Sequence, residues 1–190
     1  MREELLRPNT LYHDLHYNKA HVWLINLSAP YDSKLVKSVL SRNELNRGKL
    51  FKVASAQKQF YLTRLALRRI LSCYTNIPPG YISIGYKRFG KPFLTENPYG
   101  INFNVSHSCS LALCGISTNS EIGIDIELEG FLDSIDKLVE SVFSSMEIEE
   151  YNLISSEDRL KYFYRAWVRK EAYVKALGRG FYQDIRDVDL

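Results

Sequence analysis

Residues 101–129 read INFNVSHSCSLALCGISTNSEIGIDIELE. Two short runs of β-formers, residues 101–105 and 111–116, flank the polar Ser106-His107-Ser108-Cys109-Ser110, which predicts neighbouring strands joined by a turn. Residues 121–129 then alternate strictly, with Ile122, Ile124, Ile126 and Leu128 on one face and Glu121, Gly123, Asp125, Glu127 and Glu129 on the other. That period of two predicts a half-buried strand with an acidic face.

Outward toward the N-terminus, His21-Val22-Trp23-Leu24-Ile25-Asn26-Leu27, ended by Ser28-Ala29-Pro30, predicts a first strand. Asp32 is placed to cap a short helix, and Ser41 with Glu44 forms an S-x-x-E capping box that opens another. A third helix is expected from about residue 55 to 74, with an apolar stripe of Phe60, Leu67, Leu71 and Tyr74. Arg64 falls near the middle of that stripe, where its charge calls for an anion or a carboxylate. Pro78-Pro79-Gly80 closes this part, and residues 81–86 read as a strand before a turn at Gly90-Lys91-Pro92. Toward the C-terminus, Ser144 and Glu147 form a second capping box, and a long helix is expected over about 157–177.

The chain has 190 residues and a net charge of +3, consistent with one soluble domain. No apolar run is long enough to span a membrane, and the opening MREELLRPNT is unlike a signal peptide, so a cytoplasmic protein without a membrane partner is expected. Cys73, Cys109 and Cys114 lack CxxC spacing and are expected to be small buried hydrophobes. Residues 1–95 carry 16 Lys/Arg against 5 Asp/Glu (+11), and residues 96–190 carry 9 against 17 (−8). Such a split suits either an anionic partner for the first half or two subdomains that attract each other.

Asp125 and Glu127 lie two apart on the expected strand, so their carboxylates share a face with Cα atoms roughly 7 Å apart. Paired carboxylates with room for water and phosphate oxygens suit Mg²⁺, although an exposed strand face is often acidic without binding anything. In the last helix Glu171 stands near the centre of a stripe of Leu160, Phe163, Tyr164, Trp167 and Val174, with Lys170 at its edge and Lys175 one turn on. A carboxylate there is either a metal ligand or base, or half of an ion pair with Lys175. His107, among small hydroxyl residues at a strand end, suits a phosphate or is simply a turn residue. His13, His16 and His21 have no ligand cluster around them.

Four segments in this order resemble the 4'-phosphopantetheinyl transferases of the Sfp type. They are Gly90-Lys91-Pro92-Phe93, Phe103-Asn104-Val105-Ser106-His107-Ser108, Ile122-Gly123-Ile124-Asp125-Ile126-Glu127, and the run from Trp167-Val168-Arg169-Lys170-Glu171 through Lys175 to Gly178-Arg179-Gly180-Phe181. The resemblance implies an α+β fold of two similar α/β halves about a pseudo-two-fold axis. It divides the chain into residues 1–100, facing the 3'-phosphate and adenine of coenzyme A, and 101–190, carrying the metal and the catalytic groups. Family members with two halves continue with further strands after the G-x-G segment, so the second half is expected to be truncated at its C-terminal end.

What the resemblance implies is Mg²⁺-dependent transfer of phosphopantetheine from coenzyme A to a serine of an acyl or peptidyl carrier protein, by a monomer or dimer with no nucleic-acid partner. By that likeness Asp125, Glu127 and Glu171 hold the metal, Glu171 accepts the serine proton, and Lys175 offsets charge on the leaving phosphate. Coenzyme A contacts map onto Arg47 and Arg64, Lys91 and Pro92, Asn104, Ser106 and His107, and Lys170 and Lys175. Glu44 departs from the pattern, since some members have a second lysine there. Two other readings share these residues: a Mg²⁺-dependent nuclease or nucleic-acid-binding protein, and a truncated module that binds coenzyme A or a carrier without transfer.

Overall fold

The computed structural model describes residues 15, 19–30, 32–130, 135–178 and 184–188. Strand β1 (Ala20–Asn26) leads into helices α1 (Ser33–Val39), α2 (Arg42–Lys49) and α3 (Ala54–Thr75). A 3₁₀ turn (Pro79–Tyr81) and a small hairpin, β2 (Ile84–Tyr86) and β3 (Pro92–Leu94), follow. Strands β4 (Ile101–Ser108) and β5 (Leu111–Thr118) precede helices α4 (Ile135–Val142), α5 (Ser145–Leu153) and α6 (Arg159–Leu177).

The local signals act where they were expected. Asp32 accepts from the Lys34 amide at the start of α1. Both capping boxes form reciprocally, Ser41 with Glu44 and Ser144 with Glu147. Helix α3 ends at Asn76 in a left-handed conformation, just before the prolines. Helix α4 carried no signal read in the sequence.

β1, β5 and β4 form one antiparallel sheet in that order, with Trp23 opposite Cys114 and Cys114 opposite Val105. Its inner face, including Ile25, Phe103, Ala112, Cys114 and Ile116, packs with Leu67, Ile70, Leu71 and Tyr74 of α3. The fully buried Tyr74 hydroxyl accepts from Trp23 Nε1 at 2.9 Å and bonds His21 Nδ1 at 2.8 Å, fastening helix to sheet. Because β1 pairs with β5, strands on either side of residue 100 belong to one sheet. A second core joins Val139, Val142, Phe143, Tyr151 and Phe163 from the last three helices. Cys73 and Cys114 are buried as expected, but Cys109 is exposed at the β4–β5 turn with φ of 49°.

Residues 121–130 depart from expectation, because they form no strand and join neither sheet. A strand needs a neighbouring backbone ladder, and side chains, not a strand, meet this segment. Leu128, expected on the apolar face, is 62% exposed. Among the described residues after Thr118 there is no strand, so a second sheet matching the first is not seen.

Candidate active site

Alternate residues of β4 point to one face of the sheet, and three of them hold residues 121–129 in place of a backbone ladder. Asn104 Oδ1 accepts from the Ile124 amide at 3.0 Å. Ser106 Oγ donates to Asp125 Oδ1 at 2.6 Å. Ser108 Oγ donates to Glu127 Oε2 at 2.9 Å and accepts from the Leu128 amide at 3.1 Å. The Asn-x-Ser-x-Ser spacing thus aims both carboxylates without β-pairing.

Helix α6 closes the other side. A Cβ on Gly123 would fall 1.8 Å from the Ala172 carbonyl oxygen and 2.4 Å from the Ala176 nitrogen, so only glycine lets this segment lie against the helix backbone. Across that contact Lys175 Nζ reaches Asp125 Oδ1 at 2.5 Å and donates to Ser106 Oγ at 3.0 Å. The Lys175 ammonium therefore pairs directly with Asp125, rather than with its helical neighbour Glu171.

Glu171 stays close enough to feel all these charges. Burial pushes its carboxyl above the ordinary value; Lys175 opposes that, while the negative charges of Asp125 and Glu127 add to it. Glu171 and Lys175 line a cavity of about 730 Å³ whose other walls include Phe89, Pro92, Val105, Val142 and Trp167. Asp184 joins Glu171 and Lys175 in the lining, so charged groups share the cavity with largely apolar walls, which suits a ligand with both a charged group and an uncharged part.

The remaining expected contacts fall in different places. Asn104 and Pro92 line the cavity, Ser106 is buried beneath Lys175, and His107 is exposed on β4. Arg47 is exposed at the end of α2, its guanidinium 5.8 Å from the Phe60 ring centre. Arg64, expected at coenzyme A, is turned inward: its Nε lies 2.7 Å from Glu44 Oε1, while Arg68 holds Glu44 Oε2. Glu44, the departure from the family pattern, is the internal counter-charge of two arginines. Lys170, expected beside the pyrophosphate, is fully buried, with Nζ on Glu147 Oε2 at 2.5 Å and on the Val142 and Ile185 carbonyls at 3.0 and 3.1 Å. It anchors α6 to the cavity wall and presents no surface to a ligand.

Lys91 is also held inside, by Glu121 and by the Ile122 and Ala176 carbonyls. In the sequence Glu121 is one acidic position of the alternation, and nothing local points to a lysine 30 residues away. The G-x-G segment beyond Gly178, His13 and His16 lie outside the described residues.

Asp125, Glu127 and Glu171 offer only hard oxygen donors, the set a Mg²⁺ ion takes. Asp125 Oδ2 is buried with no hydrogen-bond partner, an atom that a cation would satisfy. Among the described residues, no three His, Cys, Asp or Glu side chains are gathered at metal-holding distance; in this arrangement the Lys175 ammonium serves as the cation for Asp125. The donor chemistry fits the ion, with Lys175 in competition for the same carboxylate. Among the described residues no helix is long and apolar enough to cross a membrane.

Two family models match the chain. One described as "4'-phosphopantetheinyl transferase, N-terminal" covers residues 29–118, and one described as "4'-phosphopantetheinyl transferase superfamily" covers residues 121–190. Their boundary falls after β5, where the sheet ends. The chain is 35% identical over 167 residues to the 4'-phosphopantetheinyl transferase HetI of a Nostoc species, covering 86% of this chain and 70% of that protein. It is 32% identical over 166 residues to a putative 4'-phosphopantetheinyl transferase of a Synechocystis species, covering 84% and 65%. With the 4'-phosphopantetheinyl transferase gsp of Aneurinibacillus migulanus it shares 35% over 121 residues, covering 64% and 48%. The chain thus spans about two thirds of the first two relatives and about half of the third. With both models matched in order, relatives at 35 and 32% identity, and residues of three of the four motifs lining one cavity, the chain belongs to the 4'-phosphopantetheinyl transferase superfamily.

Proposed function

We propose that this chain transfers the 4'-phosphopantetheine arm of coenzyme A to a serine hydroxyl of an acyl or peptidyl carrier protein, with Mg²⁺ bound, releasing adenosine 3',5'-bisphosphate. The observation that carries this reading is the triad of Lys175, Asp125 and Ser106, whose Lys175 lines with Glu171 a cavity of largely apolar walls.

The phosphopantetheine arm is long and uncharged, in keeping with the Phe89, Pro92, Val105 and Trp167 walls. Asp125, Glu127 and Glu171 would hold Mg²⁺; when bound, the ion neutralises pyrophosphate oxygens and makes phosphorus more electrophilic. Glu171, directly or through a water, takes the proton of the carrier serine. Its raised pKa makes it a stronger base than an ordinary carboxylate. The serine oxygen forms a new bond to the phosphorus that bears pantetheine, and the bond from that phosphorus to the bridging oxygen breaks. Lys175 offsets the charge left on the departing phosphate. Ser106 holds Asp125 in place, and His107 and Arg47, both exposed, remain accessible to the phosphates.

The same reading carries with it a cytoplasmic protein acting as monomer or dimer, with no nucleic-acid or membrane partner. It is tested by incubating the chain with Mg²⁺, coenzyme A and several apo carrier proteins and weighing each carrier by mass spectrometry. A carrier heavier by one phosphopantetheine is expected. No gain on any carrier, from well-folded protein, would overturn the reading.

A further inference from the structure

An ammonium group has three hydrogens to donate, and in Lys91 all three are spent inside the protein. Nζ lies 2.6 Å from Glu121 Oε2, 2.7 Å from the Ala176 carbonyl oxygen and 3.2 Å from the Ile122 carbonyl oxygen. The residue is 8% exposed. The other oxygen of Glu121 takes Lys87 at 2.5 Å. The Ala176 carbonyl is among the last four of α6, which have no partner within the helix, so Lys91 satisfies it and sets a positive charge at the negative end of the helix dipole. Gly178, the left-handed cap of α6, leaves space for the Lys91 stem, since a Cβ there would come 3.0 Å from Lys91 Cδ.

The three segments that meet at this nitrogen are those that make the site. Gly90 and Pro92 flank Lys91 on the cavity wall. Ile122 lies three residues before Asp125, and Ala176 follows Lys175 directly. We propose that Lys91 is a positioning residue that sets the Asp125 to Lys175 spacing by tying the β2–β3 hairpin, residues 121–122 and the last turn of α6 together, and that its ammonium, unlike its stem on the cavity wall, makes no bond to coenzyme A. The inference deepens the transferase reading and rests on it for its kinetic test, because Lys91 would then act on the rate of phosphoryl transfer and not on the affinity for the donor.

The test compares the full-length wild type with Lys91→Met, which keeps the stem and removes the hydrogens, with Glu121→Gln and with the double variant. For Lys91→Met, kcat should fall on the order of tenfold or more. KM for coenzyme A, and Kd by calorimetry, should stay within about twofold. Glu121→Gln should lower kcat less, and the double variant should be no worse than Lys91→Met, since both break one link. Hydrogen exchange at the Ile122 to Asp125 amides should be faster in Lys91→Met, a readout independent of turnover. A rise in KM and Kd with kcat unchanged, or unaltered exchange at those amides, would overturn the inference. Should Lys91→Met fail to fold, Glu121→Gln gives the same kinetic split and exchange readout. An inactive wild type would count against the transferase reading alone, and the exchange result would still decide the role of Lys91.

Discussion

Lys175 Nζ and Asp125 Oδ1 lie 2.5 Å apart, although 50 residues separate them in the chain. The Asp125 side chain is 2% exposed and that of Lys175 29%. The ammonium is the more hydrated partner, and the carboxylate is the one that depends on compensation.

Lys175→Met should therefore destabilise the chain by about 3 kcal/mol, because it leaves a buried carboxylate without its cation. Asp125→Asn should cost clearly less, since the lysine can turn to solvent. Urea denaturation of the two variants and their combination checks the order, and the double variant should recover part of the Lys175→Met loss. Asp125→Asn and Glu171→Ala should both abolish carrier modification.

Gly123→Ala should lose about 2 kcal/mol or more, because the new methyl meets helix backbone and the segment carrying Asp125 must lift away. Gly130→Ala, whose Cβ would find nothing nearer than 3.9 Å among the described residues, should be close to neutral. Thermal melts of the pair separate a steric cause from a general cost of losing glycine.

Glu44 supplies a pH dependence. Burial pushes its carboxyl up, but the Arg68 hydrogen bond, the Arg64 charge and the Ser41 amide outweigh it, leaving the group below the ordinary carboxylate value of 4.5. A group lowered in the folded state contributes stability that is fully present above its unfolded value and lost as pH falls through its folded value. The stability difference between wild type and Glu44→Gln should hold steady near neutral pH and shrink below about pH 4.5. A gap that does not narrow in acid would show that the ion pairs are not its source.

Glu171 runs the other way. Its carboxyl is raised by burial and by Asp125 and Glu127, against Lys175. Its contribution is fully present below the unfolded value and is lost as pH rises through the folded value. In metal-free protein at neutral pH, Glu171→Gln should be more stable than the wild type while losing transfer. Added Mg²⁺ should raise the melting temperature of the wild type and have little effect on the variant. A wild-type melting temperature indifferent to Mg²⁺ would count against the three-carboxylate site.

The helices other than α4, and the β4–β5 hairpin, were legible because their causes are local. A capping box needs only residues three apart, as with Ser41 and Glu44 or Ser144 and Glu147. Residues 121–129 differ for the same reason: alternation is a local property that does not say whether a neighbouring strand exists to complete a ladder, and without one Leu128 lies exposed and the Asp125 side chain buried. Arg64 was legible as a charge needing a partner, and the partner proved to be Glu44, 20 residues away.

The sequence by itself determined the family and the helical segments other than α4, and it pointed to Asp125, Glu127, Glu171 and Lys175 as the candidate chemistry-bearing set, since ordered motifs and residue types are properties of the chain. Which cations are available to a substrate was decided only by the tertiary structure. Arg64, Lys91 and Lys170 spend their donors on Glu44, Glu121, Glu147 and backbone carbonyls. Lys175, on a half-exposed face of α6, stands at the cavity. A buried charge must find its compensation wherever packing places it, and packing brings together residues that sequence spacing keeps apart.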